Sequence, residues 1–179
     1  MKAIKIFMTL LGLACAVAPC YSRDELPASL PADVIRAGCS IFFSKDFHPI
    51  QDDPLSNPPF SIVNSWRCRD GENLPIDKYE INGSSPDVVT VFYWRRRDIL
   101  VLVRWQVNSE AADYAGNYYE LFAYTHSDKF GSPKFTRDNG IMKYFPPGFD
   151  GVDKNGVPVI YPFKDVPSIR KKLRSVYLN

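Results

Sequence analysis

The sequence predicts a β-rich α+β fold: a mainly antiparallel sheet of about six or seven strands, a short N-terminal helix and a C-terminal amphipathic helix. Three observations carry this expectation. Residues 88–94 and 99–107 are dense in β-branched and aromatic side chains. Connections between strand-like runs are too short for the crossover helices that parallel strands need. Among the later segments, residues 166–177 repeat apolar side chains at helical spacing.

Residues 1–22 come first in the chain and stand apart from this fold. Lys2 and Lys5 precede an apolar run of thirteen residues from Ile6 to Ala18, and small residues then lead to Arg23, Asp24 and Glu25, the layout of an export signal. Thirteen residues span only about 20 Å as a helix, whereas a bilayer core takes roughly 20 residues. Cleavage after Ser22 places Cys20 and Ser22 at the two small-residue positions; cleavage after Ala18 would put Pro19 behind the scissile bond. A rival reading makes Cys15 the lipid-modified first residue, behind Leu13 and Ala14, although Gly12 stands where a larger aliphatic residue is wanted. Membrane association is expected only in that case. The expected location is periplasmic, with residues 23–179 forming one globular domain.

This leader also holds the chain's excess charge. Of 22 Lys+Arg and 20 Asp+Glu, residues 1–22 take two lysines and no acid, so the remainder is formally neutral. A neutral chain lacks the overall cationic field that gathers nucleic acid around a binder, and nucleic acid is not an expected partner. Two of the four cysteines also leave, and Cys39 and Cys68 remain. An even pair in an oxidising compartment predicts a disulfide, and closing a loop of about 30 residues removes roughly 3–4 kcal/mol worth of unfolded-state entropy. Metal binding by these cysteines has no support from C-x-x-C spacing or a nearby His pair.

Along the remaining chain, Pro31 near a first turn and Gly38 as a stop predict a short helix over residues 30–38. Residues 47–59 hold His48, Pro49, Asp52, Asp53, Pro54, Asn57, Pro58 and Pro59, and so read as a loop. Alternating apolar and polar residues predict strands at 60–66 and, more briefly, at 78–81 before Asn82-Gly83. The runs 88–94 and 99–107, joined by Arg95, Arg96, Arg97 and Asp98, predict a hairpin at the centre of the sheet. Further strands are expected at 118–125, 140–145 and 157–161, separated by Pro146-Pro147-Gly148 and Asp153-Lys154-Asn155-Gly156. In the last helix Val166, Ile169, Leu173, Val176 and Tyr177 share one face, which should pack on the sheet.

Catalytic signatures are sparse, and no cofactor is implied. His48 and His126 are the two histidines, and neither sits in a zinc-protease spacing. His126 has Ser127 and Asp128 beside it, but neighbours on a strand point to opposite faces, so the run is not a triad. No nucleophile elbow, phosphate loop or dinucleotide glycine motif occurs. Asp70, Glu72, Glu80 and Glu120 are the carboxylates from which a glycosidase-like pair would be drawn. Asp153 to Gly156 matches the inner part of a calcium loop, yet Gly151 and Pro162 occupy its first and closing ligand positions, leaving a turn. Asn82-Gly83-Ser84 matches a glycosylation sequon and reads as a turn. Lys164, Arg170, Lys171, Lys172 and Arg174 read as the solvent face of the last helix.

The most concentrated cationic stretch outside that helix is Arg95, Arg96 and Arg97 with Arg104, flanked by Phe92, Tyr93, Trp94 and Trp105. Charges here keep a long apolar hairpin from pairing with other chains. Arg and Trp are also the residues most enriched in binding hot spots, so Tyr93, Trp94, Arg95, Arg96, Arg97 and Arg104 form the expected partner-binding set.

The run from Trp94 to Trp105, Trp-Arg-Arg-Arg-Asp-Ile-Leu-Val-Leu-Val-Arg-Trp, preceded by Tyr79-Glu80-Ile81-Asn82-Gly83, resembles the central pattern of small bacterial envelope proteins that act as immunity proteins against type VI secretion phospholipase effectors. Those proteins carry Trp-Arg-Pro-Gly before the alternating valines; this chain lacks the Pro-Gly. The resemblance implies a periplasmic inhibitor that binds a toxic enzyme and blocks it, without catalysis of its own. A secreted hydrolase using a carboxylate or histidine site, and a structural envelope component, are the alternative expectations.

Overall fold

The structure, a computed structural model, describes residues 29–49, 51, 57–109, 114–127 and 134–177. The expected signal, Cys15 and Asp128 lie outside the described residues. Two antiparallel sheets dominate. The first has four strands in sequence order: β1 (Leu30–Pro31), β2 (Cys39–Phe47), β3 (Phe60–Cys68) and β4 (Asn73–Tyr79). The second runs β10 (Pro158–Val159), β9 (Gly148–Val152), β7 (Tyr114–Ser127), β6 (Asp98–Ser109), β5 (Pro86–Trp94), with β8 (Lys134–Arg137) also paired to β7. Two helices complete the described residues: α1 (Asn139–Met142), between β8 and β9, and α2 (Val166–Tyr177), after β10.

Strand β6 explains the layering. Ile99, Val101, Val103 and Trp105 point to one side and meet Ile41, Phe43, Ile62, Trp66 and Tyr79 of the first sheet. Leu100 and Leu102 point to the other side and meet Ile141, Phe145, Tyr161, Ile169 and Leu173. A strand covered on both faces needs apolar residues at every position, hence the unbroken run from Ile99 to Val103. The molecule is therefore sheet on sheet on helices, with the second sheet in the middle.

Paired ends hold the β2–β3 ladder in register. Cys39 and Cys68 are cross-strand partners joined by the disulfide, and at the other end Phe47 pairs with Phe60, ring centroids 5.7 Å apart. Between the sheets lies a chain of polar groups. Asn64 Nδ2 donates to Tyr79 Oη at 3.1 Å, Tyr79 Oη lies 3.1 Å from Tyr124 Oη, and the Tyr124 hydroxyl donates to Asp77 at 2.6 Å. Arg137 Nε donates to the same Asp77 oxygen at 2.7 Å. Burial opposes ionisation of Asp77, but the bonds from Arg137 and Tyr124 outweigh it and hold its carboxyl below the usual value of 3.8. Burial pushes both tyrosine hydroxyls well above their ordinary range.

Several expectations are corrected. Residues 30–38 contain no helix: Leu30 and Pro31 pair with Ile41 and Ser40, and turns follow to Gly38. A residue before proline avoids the helical region, so Leu30 is extended, and Gly38, at φ 77°, gives its N–H to Asp33 Oδ1 at 2.8 Å. Residues 140–145 are not a strand. Asp138 caps α1 by accepting the Ile141 N–H at 3.0 Å, and Ile141 and Phe145, four apart, bury together. The β5–β6 hairpin is not central, because β5 is the edge of its sheet. The described residues form ten strands rather than six or seven, because β1, β2, β8 and β9 carry no recognised pattern. The expected 78–81 strand begins at Asn73 and ends at Tyr79, and the 157–161 strand shrinks to Pro158–Val159.

Candidate functional site

Strand β5 ends at Trp94, which pairs with Asp98, leaving Arg95, Arg96 and Arg97 as the turn. The Arg97 N–H returns to the Trp94 carbonyl at 3.2 Å. This tight reversal puts Arg95 at φ 52° and Arg96 at φ 56°, the left-handed region. Primed hairpin turns require it, and Asn-Gly or Asp-Gly usually supplies it, because a side chain there costs roughly 1–2 kcal/mol per residue. Two arginines at these positions bring cationic charge at the expense of conformational comfort.

Each arginine is placed differently. Arg95 reaches across to α2, donating from Nη2 to the Tyr177 carbonyl at 3.0 Å, with its guanidinium carbon 4.7 Å from the centre of the Tyr177 ring. Arg97 Nε donates to Asp98 Oδ1 at 3.1 Å; Asp98 is 1% exposed and also accepts from Thr125 Oγ1 at 2.8 Å. Arg96 is exposed and has no side-chain partner among the described residues.

The flanking residues divide between the two sides of the strand. Trp94 is half-buried against the helix-side core, and its buried Nε1–H has no acceptor among the described residues. Tyr93 packs on the inter-sheet core and donates its hydroxyl to the Pro31 carbonyl at 2.8 Å; burial, with Asp33 nearby, pushes the phenol up to about 12. Arg104 stands apart, paired with Asp87 across the β5–β6 ladder. Six residues beyond Asp98, it is roughly 20 Å along the strand from the turn. The structure therefore gathers Trp94, Arg95, Arg96 and Arg97, turns Tyr93 to the opposite face, and separates Arg104.

It also adds α2, whose cations the sequence reading kept apart. Arg170 lies over the Phe92 ring at 5.4 Å, while the end of α2 meets Arg95. The Arg95–Tyr177 contact joins positions 82 residues apart, so no local pattern announces it.

The other chemical candidates have different surroundings. His126 stacks on Trp66, centroids 5.7 Å apart, and lies 5.1 Å from Phe135; its buried Nε2 has no hydrogen-bond partner among the described residues. His48 Nε2 is 3.0 Å from Ser61 Oγ, and Ser61 donates to Glu80 at 2.7 Å. This order is acid, serine, histidine, so the serine proton points at the carboxylate, and Ser61 is 0% exposed. A nucleophilic triad needs histidine in the middle. Asp70 and Glu72 are held by Arg36 at 2.7 and 3.0 Å, and Glu72 accepts the Trp66 indole N–H at 2.9 Å. Glu120 is held above the usual carboxylate range by burial. It lines a cleft of about 330 Å³ with Lys143, Asn139, Met142 and Phe145. A second cleft, of about 300 Å³, lies beside the disulfide between Asp33, Arg67 and Arg69.

Asp153 Oδ1 accepts the N–H groups of Asn155 and Val157 at 2.8 and 2.9 Å, and Gly156 takes φ 74°, which makes the β9–β10 turn. Gly83, at φ 75°, turns the chain so that the Asn82 N–H meets the Ser84 carbonyl at 3.1 Å. Among the described residues no group of three His, Cys, Asp or Glu is arranged to hold a metal ion. Nor is any helix there long and apolar enough to cross a membrane. No family model, curated protein or solved structure matches the chain.

Proposed function

We propose that the protein is an exported, noncatalytic binding protein that captures and blocks a protein partner through the arginine turn of the β5–β6 hairpin. A periplasmic immunity protein acting on a toxic effector enzyme is the class that the sequence resemblance implies. One observation carries the reading: Arg95 and Arg96 occupy left-handed positions that favour glycine or asparagine, at the tip of a rigid hairpin. Strain held at an exposed tip by residues of one charge is what a recognition element looks like, because folding alone would be served better by Asn-Gly. The disulfide supports export, since such bonds persist in oxidising compartments.

The test is capture by the oxidised protein, residues 23–179, from envelope and secreted fractions, followed by association kinetics with the protein recovered. Replacing Arg95, Arg96 and Arg97 together by Ala should slow association about tenfold or more and flatten its salt dependence. Unchanged association kinetics would rule out the turn as the contact.

A further inference from the structure

The cations of α2 and those of the arginine turn form one line. Arg170 stacks on Phe92 of β5, and seven residues later Tyr177 meets Arg95. Seven residues of helix rise roughly 10 Å. Arg174 is one turn beyond Arg170 on the same helix face, so the order along α2 and on into the turn is Arg170, Arg174, then Arg95 at Tyr177, with Arg96 next to it in the chain. None of these four forms an ion pair among the described residues, whereas Arg97 and Arg104 do.

Helix electrostatics do not account for the line. Cations favour the last turn of a helix, which suits Arg174, but Arg170 is the fifth residue of twelve. Like charges four apart destabilise a helix. Guarding the strand edge needs no such alignment, because a bulge between Val88 and Thr90 and Pro86 at the strand start already blunt β5. Aromatic faces beneath Arg170 and Arg95 hold their guanidinium groups in place, an arrangement suited to fixed acceptors rather than to a diffuse ion cloud.

From this alignment we infer that Arg170 and Arg174, together with Arg95 and Arg96, form a docking strip for an acidic surface on a protein partner. Its carboxylates would be spaced about one helical turn apart. The inference rests on the binding-protein reading above and states the chemistry of the partner. A protein surface fits better than a membrane. Of the exposed large apolar side chains Val34, Phe47, Ile81, Val89, Val152, Val157, Val159 and Ile160, only Val89 is on β5, so little beside the strip can enter a bilayer. Carboxylates answer the planar fork of arginine with paired hydrogen bonds.

The probe is a fluorescent poly-L-glutamate of about 20 residues, read by anisotropy against the oxidised protein at low and at physiological salt. Arg170→Glu with Arg174→Glu should weaken binding at least tenfold and flatten its salt dependence. Lys45→Glu with Lys134→Glu, exposed and off the strip, should leave it within about twofold. Arg170→Gln with Arg174→Gln gives the same direction with less perturbation, and an unchanged thermal midpoint certifies the fold. Binding that survives both arginine substitutions overturns the strip. So does an equal loss in the lysine control, or tighter arginine-dependent binding to phosphatidylglycerol vesicles than to polyglutamate. Capture of a partner that depends on the arginine turn but not on Arg170 and Arg174 sinks this inference and spares the proposed function. Polyglutamate binding through the strip, with no protein captured, does the reverse.

Discussion

The polar chain between the sheets and the arginine turn at the hairpin tip are built on opposite terms. Around Asp77, each charge is answered: Arg137 and Tyr124 converge on one carboxylate oxygen, and Tyr79 and Asn64 extend the chain inward. At the tip, Arg96 has no side-chain partner among the described residues, and two arginines take left-handed backbone. The β9–β10 turn sharpens the contrast, because it meets a similar conformational demand with Gly156 and with Asp153 accepting two backbone N–H groups. Where only shape matters, this chain uses the ordinary turn residues. Departures from local preference concentrate where recognition is proposed.

The largest way to break the comparison is to open the stable side. Replacing Cys39 and Cys68 by Ser should lower stability by roughly 3–4 kcal/mol in denaturant titrations while leaving the arginine turn competent under native conditions. Loss of capture in a variant that remains folded would mean that the two regions are coupled.

Asp77→Asn comes next, with an expected cost of roughly 1.5–3 kcal/mol at neutral pH, since charge-assisted bonds to Arg137 and Tyr124 are lost. The folded carboxyl titrates below its usual value of 3.8. Its contribution is therefore fully present above that value and fades as pH falls through the lower folded pKa. Urea midpoints of the two proteins should converge in acid; a gap that stays constant from pH 7 to pH 3 would contradict this assignment.

The smallest effect has the opposite sign. Arg96→Gly removes a side chain from a left-handed position without removing a side-chain hydrogen bond or ion pair among the described residues, and should raise stability by about 0.5–1 kcal/mol after the added chain entropy of glycine. The same change should slow partner association. A variant both less stable and equally quick to associate would show that arginine is there for the fold.

How much was legible follows from how local each signal is. Residues Ile99 to Val103 of β6 are apolar at every position because both faces are covered, and β7 likewise buries Leu121 to Tyr124 on both faces amid a dense run of aromatic residues, so both stand out. Strand β2 is harder to read: Ile41 and Phe43 face inward, but Phe42 between them lies under Arg67 on the outer face, which blurs the alternation. The Gly140 to Phe145 stretch fits either period over so few residues, and the cap at Asp138 was the feature that decided it. Three arginines in a row were visible as a candidate site. The left-handed backbone of Arg95 and Arg96 was not, because it depends on Trp94 pairing with Asp98 to leave only three residues for the turn.

By itself, the sequence determined the antiparallel β-rich character, the Cys39–Cys68 pairing once Cys15 and Cys20 in the expected signal are set aside, and the span of the last helix. These rest on short-range periodicity or on counting. Tertiary structure alone decided that the second sheet lies in the middle, that β5 is an edge, and that α2 meets the β5 end of the hairpin, with Arg170 over Phe92 and Tyr177 at Arg95. Layer order and edge position arise from pairings between distant strands. Side chains 75 or more positions apart share a surface only when both faces of β6 have found their cover.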